Sequence, residues 1–189
     1  MTDDGSTGVT RRGLLRIFAA TALVAAPTYS SAFGLLRGAG DVRRVRMYSG
    51  RTGESLDTIY WIEGDYIPEV MKEINNFARD WRTGTVKTFD PRTVDIVAAA
   101  HRLMDVNESY MLLSGYRTPQ TNALLRSNSS GVARNSLHMK AQAVDLRLKS
   151  RSVSQMAKAA AACSAGGVGR YSRSNFVHMD CGPVRSWGA

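Results

Sequence analysis

The amino-acid sequence predicts an α+β domain in which an antiparallel sheet packs against helices. Three observations support this fold class. A hairpin pattern opens the domain, two segments with helical spacing follow it, and several short strand-like segments occupy the second half of the chain. Strands and helices do not alternate regularly, as they do in parallel α/β folds, and this favours antiparallel pairing.

The first predicted elements are a hairpin and a helix. Residues 42–48 alternate as a basic strand, residues 49–53 form a Ser- and Gly-containing turn, and residues 55–61 return as the second strand. A second turn covers residues 63–65. Apolar side chains then recur at helical spacing across residues 67–81, with Pro68 acceptable in the first turn.

The later elements are predicted mainly from caps and alternation. Asp90 is an N-cap before Pro91 and begins a helix that should run to about residue 106. Thr118 and Pro119 begin another helix in the same way. The remaining prediction is a strand at 110–113, the second of these helices to 126, a loop at 127–136, a strand at 143–148, a helix at 152–163, and strands at 168–171 and 176–181.

The N-terminus has the pattern of an export signal. Basic residues at 11–16 precede a short apolar run at 17–27 and a small-residue site at 30–32, and adjacent arginines before Gly-Leu-Leu fit a twin-arginine signal. We therefore expect residues 1–32 to be the signal and residues 33–189 to be the folded domain. An uncleaved N-terminal anchor is the alternative, although the run is shorter than the about 20 residues of a membrane span.

Composition indicates one ordinary soluble domain with a strong positive charge. The chain has 189 residues, 43% of them hydrophobic and 22% charged, with a net charge of +9. Removing residues 1–32 subtracts three arginines and two aspartates, which leaves +8. Such a charge suits anionic wall polymer or lipid headgroups, whereas export argues against nucleic acid. We expect a periplasmic monomer, with membrane contact only through an uncleaved signal.

Cys163 and Cys181 are the only cysteines. In an oxidising compartment they could form a disulfide, and two free thiols are the alternative. No CxxC pattern is present, so sulfur ligation of a metal is not expected.

Two histidine–aspartate segments are the candidates for chemistry. Among only three histidines, His138 precedes Asp145 by seven positions and His178 precedes Asp180 by two. Catalytic zinc takes three nitrogen or oxygen ligands and keeps one position for water, so imidazole and carboxylate suffice. His138 and Asp145 can converge if His138 ends a loop before the strand of Asp145. His101, in a predicted helix, is interpreted as an ordinary helical residue.

Asp180 has two candidate roles. Residues two apart on a strand share one face, so Asp180 projects to the same side as His178. Its carboxylate would either orient that imidazole or act as a general base on the attacking water. Spacing alone also leaves open that these histidines and aspartates are ordinary polar residues of strands.

Two motifs and several shorter segments carry a resemblance. Residues 136–145 match Ser-x-His-x-x-Gly-x-Ala-x-Asp except at the glycine, and residues 176–180 match aromatic-x-His-x-Asp. Further likeness lies at 80–84, 114–122, 131–138, 166–171 and up to Trp187. Together these resemble the D-Ala-D-Ala metallopeptidase and hedgehog-type superfamily, most closely its murein endopeptidases of the MepK (YcbK) type. The resemblance spans nearly the whole domain and implies a hedgehog/DD-peptidase-like fold.

The resemblance implies roles for individual residues. It makes His138, Asp145 and His178 the ligands of one Zn²⁺ ion, and it implies that Arg117 faces this metal and holds a substrate carbonyl or carboxylate. The residues expected to bind substrate are Tyr116, Gln120, Asn122 and Ser136.

Two departures from the family pattern bear on the chemistry. Ala141 stands in place of the usual glycine, and Asn175 stands where many relatives have a glutamate three residues before the last ligand. An amide cannot accept the proton, so Asp180 becomes the candidate general base.

The expected activity is zinc-dependent hydrolysis of peptide crosslinks in peptidoglycan, of the LD type. A DD-carboxypeptidase or dipeptidase on the same scaffold is one alternative. A non-catalytic module that binds the cell wall is another, although none of the three ligands is missing from the sequence.

Overall fold

A computed structural model describes residues 42–188 of the chain. The predicted export signal at residues 1–32 lies outside the described residues. Within the described part, no helix is both long enough and apolar enough to cross a membrane.

An eight-stranded sheet forms the centre of the fold, with the strand order β3-β2-β1-β4-β5-β7-β6-β8. The strands are β1 Val42–Tyr48, β2 Ser55–Ile62, β3 Asp65–Tyr66, β4 Tyr110–Ser114, β5 Ala143–Arg147, β6 Gly167–Tyr171, β7 Phe176–Asp180 and β8 Arg185–Trp187. All neighbours pair antiparallel except β1 with β4 and β6 with β8. The α+β class is confirmed, with a mixed sheet in place of the purely antiparallel one expected.

Four helices accompany the sheet: α1 Pro68–Phe77, α2 Pro91–Leu103, α3 Pro119–Ser127 and α4 Val153–Ala162. The side chains of Asp90, Thr118 and Ser152 accept backbone N–H bonds at the starts of the last three, so the sequence located these helix starts. A 3₁₀ turn covers Leu137–Lys140.

Two helices end earlier than predicted. α1 stops at Phe77 and the chain turns at Asp80, whose carboxylate accepts hydrogen bonds from Thr118 far along the sequence. α2 stops at Leu103 because Asp105 adopts a left-handed φ of 48°. The prediction also lacked β3, the 3₁₀ turn and β8, which are too short to show a period in sequence.

One face of the sheet packs against the core, and the other carries the candidate site residues. Val144 of β5, Val177 and Met179 of β7, and Val168 of β6 lie in the same buried core as residues of α2 and α4. Since side chains alternate along a strand, the residues between them point to the opposite face. On that face, pairing sets one row across β4, β5, β7, β6 and β8: Ser114, Asp145, His178, Gly169 and Trp187.

Cys163 and Cys181 are both buried and both free. The structure therefore has two thiols where the sequence left a disulfide open. Burial raises the pKa of each thiol to about 11, so both stay protonated at neutral pH.

Candidate metal centre

Three side chains that are distant in sequence converge on the open face of the sheet. His138 comes from the 3₁₀ turn, Asp145 from β5 and His178 from β7, where Asp145 and His178 are direct cross-strand partners. His138 Nε2 lies 3.2 Å from Asp145 Oδ1 and 3.2 Å from His178 Nδ1, and His178 Nδ1 lies 3.0 Å from Asp145 Oδ1. The predicted convergence of these residues is therefore present.

The chain returns His138 toward Asp145 through a tight local turn. Ser136 caps the 3₁₀ turn by accepting the N–H of His138, and the N–H of Ala141 donates to the carbonyl of His138 at 3.2 Å. Ala141 closes the turn with a left-handed φ of 53°. Glycine would adopt this conformation more easily, since a Cβ in this region costs about 1–2 kcal/mol.

Hydrogen bonds to the outer ring nitrogens fix how both imidazoles are protonated. His138 Nδ1 donates to the carbonyl of Gly115 at 2.7 Å, because a carbonyl can only accept. His178 Nε2 donates to Asp180 Oδ2 at 2.9 Å. Each imidazole therefore turns its other nitrogen, with its lone pair, toward Asp145.

The donor set fits a zinc ion. Two imidazole nitrogens and one carboxylate oxygen form a familiar hydrolytic ligand set. In a tetrahedral site with bonds of about 2.0–2.1 Å, ligand atoms lie about 3.4 Å apart, close to the observed 3.0–3.2 Å. Lone pairs this close repel one another unless a positive charge lies among them. A proton supplies that charge in the metal-free protein, and a divalent cation can replace it.

The charges around the cluster shift its pKa values in opposite directions. Burial lowers the pKa of His138, which is only 2% exposed. Burial also acts to lower the pKa of His178, but hydrogen bonds to Asp145 and Asp180 outweigh it and raise the pKa to about 9. The same histidines hold the pKa of Asp145 well below its usual range despite burial. Without metal, His178 thus carries the proton.

Asp180 lies behind His178, on the side of the ring that faces away from the cluster. Its carboxylate is 0% exposed and contacts the ring nitrogen of His178 that faces away from the cluster. It also accepts the N–H groups of Gly167 and Gly182, at 3.1 and 2.9 Å, and an ion pair from Arg185 at 2.7 Å. Burial raises its pKa, but these bonds bring the pKa down to about 2. Sequence spacing could not show which ring nitrogen it meets.

Asn175 lies in the turn between β6 and β7, with a left-handed φ of 52°. Its backbone carbonyl accepts a hydrogen bond from Arg147. Asn175 therefore forms part of the turn of this hairpin, where a left-handed conformation favours asparagine over most other non-glycine residues.

Arg117 lies beside the cluster, as the resemblance implied, but its guanidinium is already engaged. Its Nη2 donates to Asp145 Oδ2, the carboxylate oxygen that points away from the histidines. Its Nε donates to Ser114 Oγ at 2.7 Å, and its backbone N–H reaches the carbonyl of His138 at 3.2 Å. Arg117 therefore orients Asp145 and offsets its charge.

The residues expected to bind substrate divide into buried and exposed ones. Asn122 is buried and donates to the carbonyl of Ala133 at 3.1 Å, which ties down the following loop. Ser136 is buried as the cap of the 3₁₀ turn, and Tyr116 is buried over most of its surface. Gln120, in the first turn of α3, is exposed.

Trp187 forms a wall that sequence reasoning did not assign to the site. Its ring lies 5.3 Å from that of His178, and its Nε1 donates to the hydroxyl of Tyr171 at 3.0 Å. Gly169 lies between them in the strand row, where a Cβ would come within 2.7 Å of the indole. A glycine inside a predicted strand was the available signal, because it marks close approach by another group.

Comparisons with known proteins identify the family of this chain. A family model described as peptidoglycan L,D-endopeptidase MepK matches residues 37–187. The peptidoglycan L,D-endopeptidase MepK of Escherichia coli strain K12 is 42% identical over 136 residues, which cover 72% of this chain and 75% of the relative. The probable enzyme of the same name from Haemophilus influenzae is 35% identical over 137 residues, covering 72% and 74%. This chain belongs to the peptidoglycan L,D-endopeptidase MepK family of peptidases.

Proposed function

We propose that the protein is a zinc-dependent peptidase that hydrolyses peptide crosslinks of peptidoglycan, at bonds of the L,D type. One observation carries the proposal. The atoms His138 Nε2, Asp145 Oδ1 and His178 Nδ1 lie close enough together to coordinate one metal ion, and the outer nitrogens of both imidazoles are already hydrogen-bonded. The names of the relatives support the choice of substrate and bond.

When bound, zinc polarises the scissile carbonyl and lowers the pKa of a water molecule at the site. The residues of the chain prepare the ligands for this. Gly115 and Asp180 hold the imidazole protons on the outer nitrogens, so both inner nitrogens stay available. Arg117 binds the outer oxygen of Asp145 and leaves the other oxygen facing the histidines.

We assign no side chain as general base. Among residues 42–188, the carboxylates that hydrogen-bond the histidines of the cluster are those of Asp145 and Asp180. The first is a ligand in this proposal, and the second is buried behind His178. Asp180 is therefore a positioning residue, and Arg117 contributes its positive charge beside the reacting carbonyl.

We further propose that residues 1–32 direct export and that the peptidase acts in the periplasm, as the basic and apolar segments of the N-terminus indicate. The positive charge of the domain, in which Lys and Arg exceed Asp and Glu, suits an anionic wall.

The test combines metal analysis with digestion of purified crosslinked muropeptides. The wild-type protein should hold one zinc per chain and release products whose masses place the cut at an L,D bond. His138→Ala should lose the zinc and lower kcat/KM by a factor on the order of 10³ or more. His101→Ala is the matched control. His101 lies in α2 and hydrogen-bonds the carbonyl of Glu108 at 2.7 Å, so this substitution should leave the zinc content and kcat/KM unchanged.

Three results would count against the proposal. Equal zinc content in wild type and His138→Ala would remove the site. Cleavage only at a free chain end would indicate the carboxypeptidase. Wall binding without any product, with zinc present, would indicate the non-catalytic module.

A further inference from the structure

A turn formed by Arg79–Thr85 lies against the segment that carries Arg117. Asp80 anchors it from inside, being only 1% exposed. Its Oδ1 accepts the N–H of Arg82 at 3.1 Å, and its Oδ2 accepts the N–H and hydroxyl of Thr118 at 2.8 and 2.9 Å. The carboxylate thus joins the backbone of Arg82 to the residue directly after Arg117.

This turn presents an exposed indole with two cations. The guanidinium of Arg82 lies 4.2 Å from the ring centre of Trp81, and that of Arg51 lies 5.3 Å from it. Trp81 is 36% exposed. Stacking on an aromatic face leaves the N–H edge of a guanidinium free to bind a carboxylate with two parallel hydrogen bonds.

Neither cation forms an ion pair with an acidic side chain within residues 42–188. Nearby arginines do: Arg79 pairs with Glu54 at 2.9 Å, and Arg44 pairs with Asp57 at 2.5 Å. Arg51 and Arg82 form no such ion pair in the described part of the chain. Burial lowers the pKa of Arg82 although the charge of Asp80 acts to raise it, and the charges of Arg117 and Arg51 lower it further, so these guanidiniums lie within each other's electrostatic field.

The hydrogen bonds of Arg117 favour a second cation for binding a substrate carboxylate. Its Nε and Nη2 are bound to Ser114 and Asp145, so this edge of the guanidinium cannot also bind a substrate carboxylate without releasing a proposed metal ligand. The guanidinium of Arg82 lies within the electrostatic field of Arg117, it forms no ion pair in the described part of the chain, and its backbone N–H is hydrogen-bonded to Asp80. A fixed position is what orientation of a substrate requires.

We propose that Trp81, Arg82 and Arg51 form a subsite that binds a free carboxylate of the peptide substrate and sets its position relative to the metal centre. The inference rests on the proposed function for the identity of the peptide. Arg82 is the main contact, Trp81 holds its guanidinium flat, and Arg51 adds charge.

Binding to metal-free protein tests this subsite separately from catalysis. The probes are a crosslinked muropeptide dimer with free carboxylates and the same dimer with those carboxylates amidated, titrated into the full chain by calorimetry. Arg82→Ala should weaken binding of the free-carboxylate dimer about tenfold. It should leave binding of the amidated dimer unchanged, and Arg82→Lys should fall between wild type and Arg82→Ala.

Arg126→Ala is the matched control, because Arg126 is an exposed arginine in the last turn of α3. It should bind both dimers as the wild type does. In zinc-loaded protein, Arg82→Ala should raise KM for the free-carboxylate dimer and leave kcat largely unchanged.

Equal losses for both dimers, or none, would overturn the subsite, as would tighter binding of a phosphate-bearing wall polymer than of the peptide. If Arg82→Ala does not fold, the binding of the two dimers can be compared in Arg51→Ala and Arg82→Lys instead. Failure of the proposed function is a different result: the wild type would then bind the dimer without cleaving it.

Discussion

Two buried carboxylates in this domain have opposite surroundings. Asp95, in α2, is 0% exposed and accepts hydrogen bonds from Tyr60 at 2.9 Å, Tyr66 at 2.6 Å and Arg43 at 2.8 Å. Burial and the charge of Asp95 raise the pKa of both tyrosines, so they stay protonated donors. This carboxylate is fully satisfied by the folded chain itself.

Asp145 is buried as well, but two of its three neighbours are imidazole nitrogens, and only that of His178 carries a proton in the metal-free protein. Arg117 satisfies one carboxylate oxygen, while the other faces His138 Nε2 and His178 Nδ1. The difference teaches how to separate a structural buried charge from a candidate binding site. The first is surrounded by fixed donors, whereas the second faces two ring nitrogens that share one exchangeable proton, which a cation can replace.

The largest effect should come from replacing each of these two aspartates by asparagine. Asp145→Asn should abolish zinc binding and lower kcat/KM by a factor on the order of 10³. Asp95→Asn should keep one zinc per chain but lose about 3 kcal/mol of unfolding free energy, since it breaks a buried ion pair. Zinc content and denaturant titration measure both. Zinc loss from Asp95→Asn would erase the distinction.

The metal-free protein should be most stable near pH 6.5. Burial lowers the pKa of His138, so it is neutral when folded and stability falls as the pH drops below that of a free histidine. His178 has a folded pKa of about 9. Its contribution is complete below about pH 6.5 and is lost as the pH rises toward 9, by no more than about 3 kcal/mol.

Saturating zinc should remove the decline above pH 6.5, because a coordinating imidazole cannot carry the proton that metal-free His178 holds. Unfolding curves across this range, with zinc and with a chelator, provide the measurement. If the decline is the same in both series, His178 is not a ligand.

Asp180→Asn should weaken zinc binding about 10- to 100-fold, which is the usual cost of losing the partner of a ligating imidazole. Competition with a chelator measures the affinity. Most activity should return at saturating zinc, because Asp180 orients His178 and does not take the proton. Activity that stays abolished with the site fully loaded would restore the general-base assignment.

The smallest effect should come from Ala141→Gly. Removing the Cβ relieves the left-handed conformation by about 1 kcal/mol, and the flexibility of glycine in the unfolded chain offsets part of this gain. Thermal unfolding should show a slightly raised or unchanged Tm. Gly84→Ala, at a φ of 71° with open space around it, is the reverse control and should lower Tm.

Sequence patterns over a few residues predicted the positions of helices and strands better than they predicted the contacts inside the site. The hairpin β1–β2 and the helix starts at Asp90, Thr118 and Ser152 follow from alternation and capping, which act over a few residues. The segments that carry the three candidate ligands were also identified in advance, through the histidine–aspartate motifs and the family likeness.

The remaining features depend on long-range partners. β8 exists only because β6 offers a parallel neighbour, and the end of α1 is set by Asp80 reaching Thr118. Whether Arg117 faces substrate or Asp145 is decided by a hydrogen bond between residues 28 positions apart. No pattern along the chain encodes such choices, because each depends on which atoms the completed sheet brings together.

The placement of Trp187 has a practical consequence for the C-terminal strand. Its indole lies beside the ring of His178 and donates a hydrogen bond to Tyr171, so β8 supports a candidate ligand that belongs to another strand. A protease that clips the chain near Pro183 would spare His138, Asp145 and His178, yet leave one imidazole loosely held.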